Sequence, residues 1–446
     1  MMKRILIYAP LLLVTFIPSI SNVKAATFTA TSCSQTDVQQ QVDAASDGDL
    51  VVIPAGSCTW VSYVSWSNKN ISLVGAGIDK TVITADSTMA FSVVNNKKSS
   101  FRISGMTIQG IGNSQKVFKL NSEASSTGVK GWRIDHIRFN FSKPNGIYAF
   151  YISGINWGLI DNCIFDGAGY LGVVVAGYVS SDGWPPPNGL GYYSWSQPLT
   201  FGNDEAIYVE DCTWNFPVGS YVSSVNDMYY GGKMVFRYNK VTNTYYQSHA
   251  ARGQDRGGNI WSEVYNNTFN STDPNWTRAI HIRGGSGIIY NNTFAGYFST
   301  IHVDNQRSCG ANTSLPFGAC DGTSSWDGNA PGETGWPCLD QIGRGPGPVG
   351  NQPSLPLYGW NNGSDPSCAM NGPCNNNRII SLNTACLSPN HIKTTGDKPT
   401  HSDGSLDFIN SGSNQKPGYT HYAYPHPLRE AVTSAIEPPR NMHISQ

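Results

Sequence analysis

Two short segments late in the chain alternate apolar and polar residues: Ile280-His281-Ile282-Arg283 and Ile301-His302-Val303-Asp304. Successive side chains of a strand point to opposite faces. The alternation therefore predicts strands with the aliphatics inward and His281, Arg283, His302 and Asp304 outward. Ser248-His249-Ala250 has the same form. Each segment follows a near-repeated phrase, beginning at Phe236, Val264 and Ile289. Thirteen residues separate Phe236 from His249 and Ile289 from His302, and seventeen separate Val264 from His281. Successive coils of one solenoid would stack His249, His281 and His302 in a single outward column.

The phrase also occurs upstream, at Ile103, Ile134, Ile160 and Val209, so the steps are 31, 26, 49, 27, 28 and 25 residues. A period in the twenties marks a solenoid. The step of 49 reads as one coil with an insertion, because residues 180–203 are rich in Gly, Pro and Ser. The sixth position of the phrase is Ile108, Phe139, Phe165, Trp214, Val241, Phe269 and Phe294, an apolar stack. The fourth is Met106, Ile137, Cys163, Cys212, Asn239, Asn267 and Asn292. Coils lie roughly 4.8 Å apart, so the asparagines are placed to bond in a buried ladder. Cys163 and Cys212 read as buried thiols in the same column.

Ahead of the repeats, residues 36–45 have helical periodicity, with Thr36 as the N-cap and Val38, Val42 and Ala45 on one face. Strands follow at Leu50–Ile53 and Ile71–Val74, bounded by Gly and Pro turns. This helix leading into DGDLVVIPAG and LVGAGIDKTVI resembles the N-terminal cap and first coils of parallel β-helix proteins of the pectin-lyase-like superfamily. The expected fold is all-β: a single right-handed parallel β-helix solenoid with an N-terminal capping helix and a disulfide-pinned irregular C-terminal region. The helix would cover the open apolar end of the solenoid. The expected limits are 26–304 for the β-helix with its cap and 305–446 for a Cys/Gly/Pro-rich excursion. An aromatic, Pro-rich tail at residues 418–428 would pack on the solenoid as a strap.

Charge and cysteine content narrow the setting. Charged residues are 13% of the 446 and the net charge is -1, which gives no basis for a nucleic-acid partner. Met1-Met2-Lys3-Arg4, the apolar run Ile5–Ile17 and Val23-Lys24-Ala25 read as a signal peptide over 1–25, cleaved after Ala25. The expected product is secreted or periplasmic, monomeric and not membrane-bound. There are ten cysteines. Cys33 and Cys58 flank the first unit and are expected to pair, and Cys309, Cys320, Cys338, Cys368, Cys374 and Cys386 are expected to form disulfides of unknown connectivity.

The resemblance implies a substrate cleft built from the third strand of each coil and the loop before it, where the histidine strands fall. It also implies β-elimination on an acidic polysaccharide, in which His, Lys or Arg moves protons and cations or calcium neutralise the uronate. His249, His281 and Arg283 are the candidate catalytic residues. Arg252, Arg256, His302, Asp304, Tyr230 and Trp276 are the candidate substrate contacts, guanidinium groups suiting carboxylates. A calcium site would need converging carboxylates, for which Asp204, Glu205, Glu210, Asp211 and Asp227 are the available groups. The stretch 132–136 resembles a Trp-Ile-Asp-His phrase of pectate lyases, yet His136 falls on a coil turn of the repeat. Two other readings remain open. A β-helical glycoside hydrolase would need paired carboxylates, and a non-catalytic β-helix would hold glycans on its aromatics.

Overall fold

The computed structural model describes residues 25–86, 89–94, 100–110, 116–121, 129–141, 147–154, 156–167, 170–176, 199–219, 224–229, 231–249, 259–273, 278–297, 299–303, 342–345, 353–364, 380–382 and 406–430. Its strands form long parallel ladders in which each coil pairs with the next. Three sheets run the length of the solenoid. The first contains Leu50–Ile53, Asn156–Asp161, Lys233–Arg237, Trp261–Tyr265 and Ser286–Tyr290; the second contains Ile164–Gly167, Lys240–Thr242, Thr268–Asn270 and Thr293–Ala295. Lys116–Asn121, Ile147–Ser153, Tyr170–Ala176 and Ser224–Tyr229 belong to the third, continued by Tyr246–Gln247, Arg278–Ile282 and Ser299–Val303. This is a parallel β-helix. Among the described residues no helix is long and apolar enough to cross a membrane.

The phrase that marks the repeat in sequence is the corner between the first two sheets. Its third residue takes the left-handed conformation in coil after coil: His136, Asn162, Asp211, Tyr238, Asn266 and Asn291 have φ of 52, 52, 53, 57, 56 and 52°. Asn and Asp tolerate that region best among residues with a Cβ. The fourth residue turns inward. Asn239 donates from its backbone and side-chain nitrogens to Asn267 Oδ1 at 2.9 and 3.1 Å, and Asn267 does the same to Asn292 at 3.1 and 3.0 Å. The sixth residue fills the core: Phe139 stacks on Phe165 at 4.8 Å and Phe269 on Phe294 at 5.5 Å. Ile160 pairs directly with Val209 and Val173 with Asn226, so the 49-residue step is one coil with an insertion.

Two details differ from expectation. The helix is Gln35–Ala44, capped by Ser34 rather than Thr36; Ser34 Oγ accepts from the Asp37 N–H at 3.2 Å. Cys33, disulfide-bonded to Cys58, anchors the chain immediately before that cap, and the first turn starts at Gln35, two residues earlier than a Thr36 cap would place it. Val38, Val42 and Ala45 are buried against the first coils as expected. The coils also continue past 304. Leu357–Trp360 pairs in parallel with Ser286–Tyr290, and Asn362 Oδ1 accepts from Asn292 Nδ2 at 3.0 Å, extending the ladder by a coil. Gly359-Trp360-Asn361-Asn362 keeps the asparagines of the phrase but replaces its usual aliphatic start with glycine. Cys309, Cys320, Cys338, Cys368, Cys374 and Cys386 lie outside the described residues.

The outer side of the first sheet is charged yet buried. Asp135, Asp161, Glu210 and Arg237 occupy one register row. Arg102 grips Asp135 with two bonds of 2.7 Å, and Arg133 grips Asp161 with two of 2.8 Å. Burial works against the ionised Asp135, but Arg102, His136 and Arg133 outweigh it and hold its carboxyl well below the usual range. Segment 418–430 closes over this face. Arg237 donates to the carbonyls of Tyr422 and Ala423 at 2.8 and 2.7 Å, Tyr419 Oη donates to Glu263 at 2.6 Å, and Arg429 meets Glu210 at 2.9 Å. Tyr424 stacks on Tyr238 with 3.6 Å between ring centres.

Two outcomes are expected. Asn267→Ala removes the acceptor for Asn239 and the donor to Phe236 O at 2.9 Å inside the core; urea unfolding should show a loss of about 3 kcal/mol. His426 is the strap's own residue, buried where the strap meets the first sheet, and that burial, with Arg237, Arg429 and Arg133 nearby, pushes its pKa down to about 3. Above the unfolded value of about 6.5 the His426 contribution is fully present. As pH falls from there toward 3, the unfolded chain gains a proton that the folded one refuses, and stability drops, by about 2 kcal/mol at pH 5. Comparing His426→Asn with wild type in melts between pH 7 and 4 should show a shallower slope for the variant.

Candidate functional site

The third sheet carries the histidines, and its outward row is the candidate site. Ile280 pairs with Ile301, His281 with His302 and Ile282 with Val303. Ile280, Ile282, Ile301 and Val303 enter the core, so the imidazoles face outward as the alternation predicts. Their ring centres are 4.9 Å apart at 69°, an edge-on contact. His302 is half-buried, whereas His281 is almost wholly enclosed.

His249 does not complete the column. The register pairs Tyr246 with Ile280 and Gln247 with His281, which makes the row Gln247, His281, His302. Lys240 and Thr293 occupy equivalent coil positions, but Tyr246 follows Lys240 by six residues and Ile301 follows Thr293 by eight. Equal distances in sequence from the repeated phrase thus conceal a turn two residues shorter. His249 lies beyond the row, its N–H on Met228 O at 2.9 Å and its carbonyl accepting from Asn259 at 2.8 Å.

Arg283 joins these parts. Its Nε donates to Ser248 O at 2.6 Å and its Nη2 to Gln247 Oε1 at 2.7 Å, and Nη2 lies 3.7 Å from Asp227 Oδ1. A guanidinium so held is a rigid cation, with a fork geometry that lysine cannot copy. Asn226 secures the Gln247 backbone from both sides: its amide donates to Gln247 O at 2.7 Å and accepts from Gln247 N at 3.0 Å. Asp227 and Gln247 therefore belong to the site, although the alternation pointed to His281, Arg283, His302 and Asp304 instead. Asp227 is the one carboxylate on the described strands of the third sheet. Arg252, Arg256, Asp304, Tyr230 and Trp276 lie outside the described residues.

Two of the other acidic candidates serve the strap face, and Asp204 lies 3.9 Å from the Lys130 ammonium. Glu210 pairs with Arg237 at 2.6 Å and Asp211 with Arg429, while Asp227 lies on a different sheet. Among the described residues no group of three or more His, Cys, Asp or Glu is placed to hold a metal ion. His136 occupies the coil turn, its Nδ1 2.7 Å from Asp135. One buried cation had no signal in the sequence: Lys233, on the outer side of the first sheet, has its pKa pushed down to about 8 by burial, with Glu205 acting the other way. Its ammonium is 5.6 Å from the Trp261 ring centre.

No family model matches this chain. No curated protein matches it either. Among solved structures it is similar to the catalytic domain of GH87 alpha-1,3-glucanase in complex with tetrasaccharides, at 10% identity and a TM-score of 0.30, over 88% of this chain and 68% of that one. The same catalytic domain in complex with nigerose gives 10% identity and a TM-score of 0.25 over the same shares. Likeness this remote carries no argument about activity, which must come from the site.

Arg283→Gln should leave Asp227 and Gln247 without their cation and lower stability by about 2–3 kcal/mol in guanidinium unfolding. Arg283→Lys should recover only part of that loss.

Proposed function

We propose that this is a secreted carbohydrate-active protein of the pectin-lyase-like superfamily, a polysaccharide lyase cleaving an acidic, uronate-containing glycan by β-elimination. The observation that supports this most is the imidazole pair His281–His302 on the outward row of the third sheet, 4.9 Å apart. In β-elimination the proton alpha to the uronate carboxylate leaves to a base. A carbon–carbon double bond forms, and the glycosidic oxygen departs with a proton from an acid. Two adjacent imidazoles suit these two transfers, because imidazole serves as either acid or base near neutral pH. His302 is the more accessible of the two and meets the sugar first. The third requirement, positive charge at the uronate carboxylate as charge builds there, falls to Arg283, which Ser248 and Gln247 hold beside the row.

Hydrolysis through two carboxylates draws less support. Inverting and retaining hydrolases place two carboxyl groups across the scissile bond, and Asp227, already engaged by Arg283, has no second carboxylate on the described strands of its sheet.

Incubation with pectate, alginate and glycosaminoglycan should yield an unsaturated product absorbing near the ultraviolet edge with at least one of them. His281→Ala and His302→Ala should each reduce that rate by about 100-fold or more, with the circular dichroism spectrum unchanged. Wild-type rates in both variants would overturn the site. New reducing ends without the absorbance would make the protein a hydrolase, and binding without cleavage a glycan-binding protein.

A further inference from the structure

The outward row of the third sheet continues beyond the histidines toward the N-terminal coils. Lys119, Tyr151, Val174 and Asp227 are register partners on successive strands. Asp227 in turn meets Arg283, whose other contact, Gln247, is the register partner of His281. Five coil spacings of ~4.8 Å put Lys119 about 24 Å from His281.

At that far end the chemistry changes from imidazole to ammonium and phenol. Lys116 Nζ lies 4.1 Å from the Tyr151 ring centre, and the Tyr148 ring is 6.3 Å from that of Tyr151. Lys116, Lys119, Tyr148 and Tyr151 are all half-buried. Burial lowers the Lys116 pKa and the neighbouring Lys119 charge lowers it further. Neither lysine has a carboxylate within ion-pair distance among the described residues, in contrast to the first sheet, where Arg102, Arg133 and Arg237 are each paired. Two repelling ammonium groups beside two phenol rings form a surface complementary to an anion with a flat apolar face. A uronate residue is such a group: its carboxylate meets the cations and its ring face stacks on tyrosine.

Building on the reading of His281 and His302 as the reaction centre, we infer that Lys116, Lys119, Tyr148 and Tyr151 form a remote uronate-binding subsite. It holds the same polysaccharide chain several sugars away from the bond that is cut. The occupant is an acidic polysaccharide lying along the solenoid axis. Two sites engaged by one chain add their binding free energies, so long chains gain and short ones do not. The enzyme would therefore favour internal cleavage of polymer over trimming of short oligomers, and the preference would fade with salt as the ammonium–carboxylate attraction is screened.

The test uses the full-length protein, the double variant Lys116→Gln/Lys119→Gln and His281→Ala. Binding to polygalacturonate, alginate and heparin is measured by affinity electrophoresis, alongside lyase rates on polymer and on di- and trisaccharides. Both lysines are surface groups, and thermal melts check that the double variant stays folded. The expected result is about tenfold weaker binding of an acidic polymer by the double variant. KM for polymer should rise with kcat unchanged, short oligomers should be unaffected, and His281→Ala should retain full binding. Equal polymer affinity in wild type and the double variant would overturn the subsite while leaving the lyase reading intact. Absence of acidic-polymer binding by wild type would overturn it as well. Lysine-dependent binding without any eliminated product would sustain the subsite and overturn the lyase reading alone.

Discussion

Each coil of this molecule must pass its backbone hydrogen bonds to the next at a spacing of roughly 4.8 Å, and parallel register then sets equivalent residues on one another. That constraint decides which side chains the coils can carry. Apolar groups stack without cost, as Phe165 and Trp214 do at 3.6 Å between ring centres. Asparagines stack because each amide offers both a donor and an acceptor, so the column Asn239, Asn267, Asn292, Asn362 closes its own bonds. Like charges do not stack unaided. The row Asp135, Asp161, Glu210 would repel itself but for the cations set against it.

Those cations tie the chain's last described segment to its middle. Arg102 and Arg133 come from the coils themselves, but Arg429 arrives from the strap and meets both Asp161 and Glu210. Arg237 completes the exchange by donating to strap carbonyls. Buried ion pairs are weak evidence for stability in themselves, because desolvation opposes the Coulomb gain. Their effect here is positional: with every member paired and hydrogen-bonded, the strap has one place to lie. On the third sheet the outward row is enclosed as well at Asp227, Gln247, His281 and Arg283, and His302 is its half-buried member.

Much of this was legible in the chain. The repeat at 103, 134, 160, 209, 236, 264 and 289 identified the coil corners, and the inward fourth and sixth positions followed from it. The outward pairing of His281 with His302 could be read because both strands alternate and their coils share one register. His249 was misplaced because the turn before Tyr246 is two residues shorter, and a repeat phrase fixes where a coil begins, not where its third strand starts. The coil at Leu357–Trp360 was missed because Gly359 stands where the other phrases carry an aliphatic or aromatic residue. The strap was foreseen as a packed tail, but its partners were not, since Arg429 and Asp161 are joined across most of the sequence.

What the sequence alone determines is local and periodic. The alternation selects the faces of the strands, the asparagine phrase sets the left-handed corner, and the apolar sixth position fills the core. Each depends on a residue and its near neighbours, or on stacking of like on like. What only the tertiary structure decides is which unlike groups meet. Asp227, Gln247 and Arg283 come from three coils whose spacing no repeat dictates, and the ladder from Lys119 to Asp227 is joined to the one from Gln247 to His302 through Arg283. Turn lengths set that register, and they follow from how each coil closes on its neighbour rather than from the pattern within it.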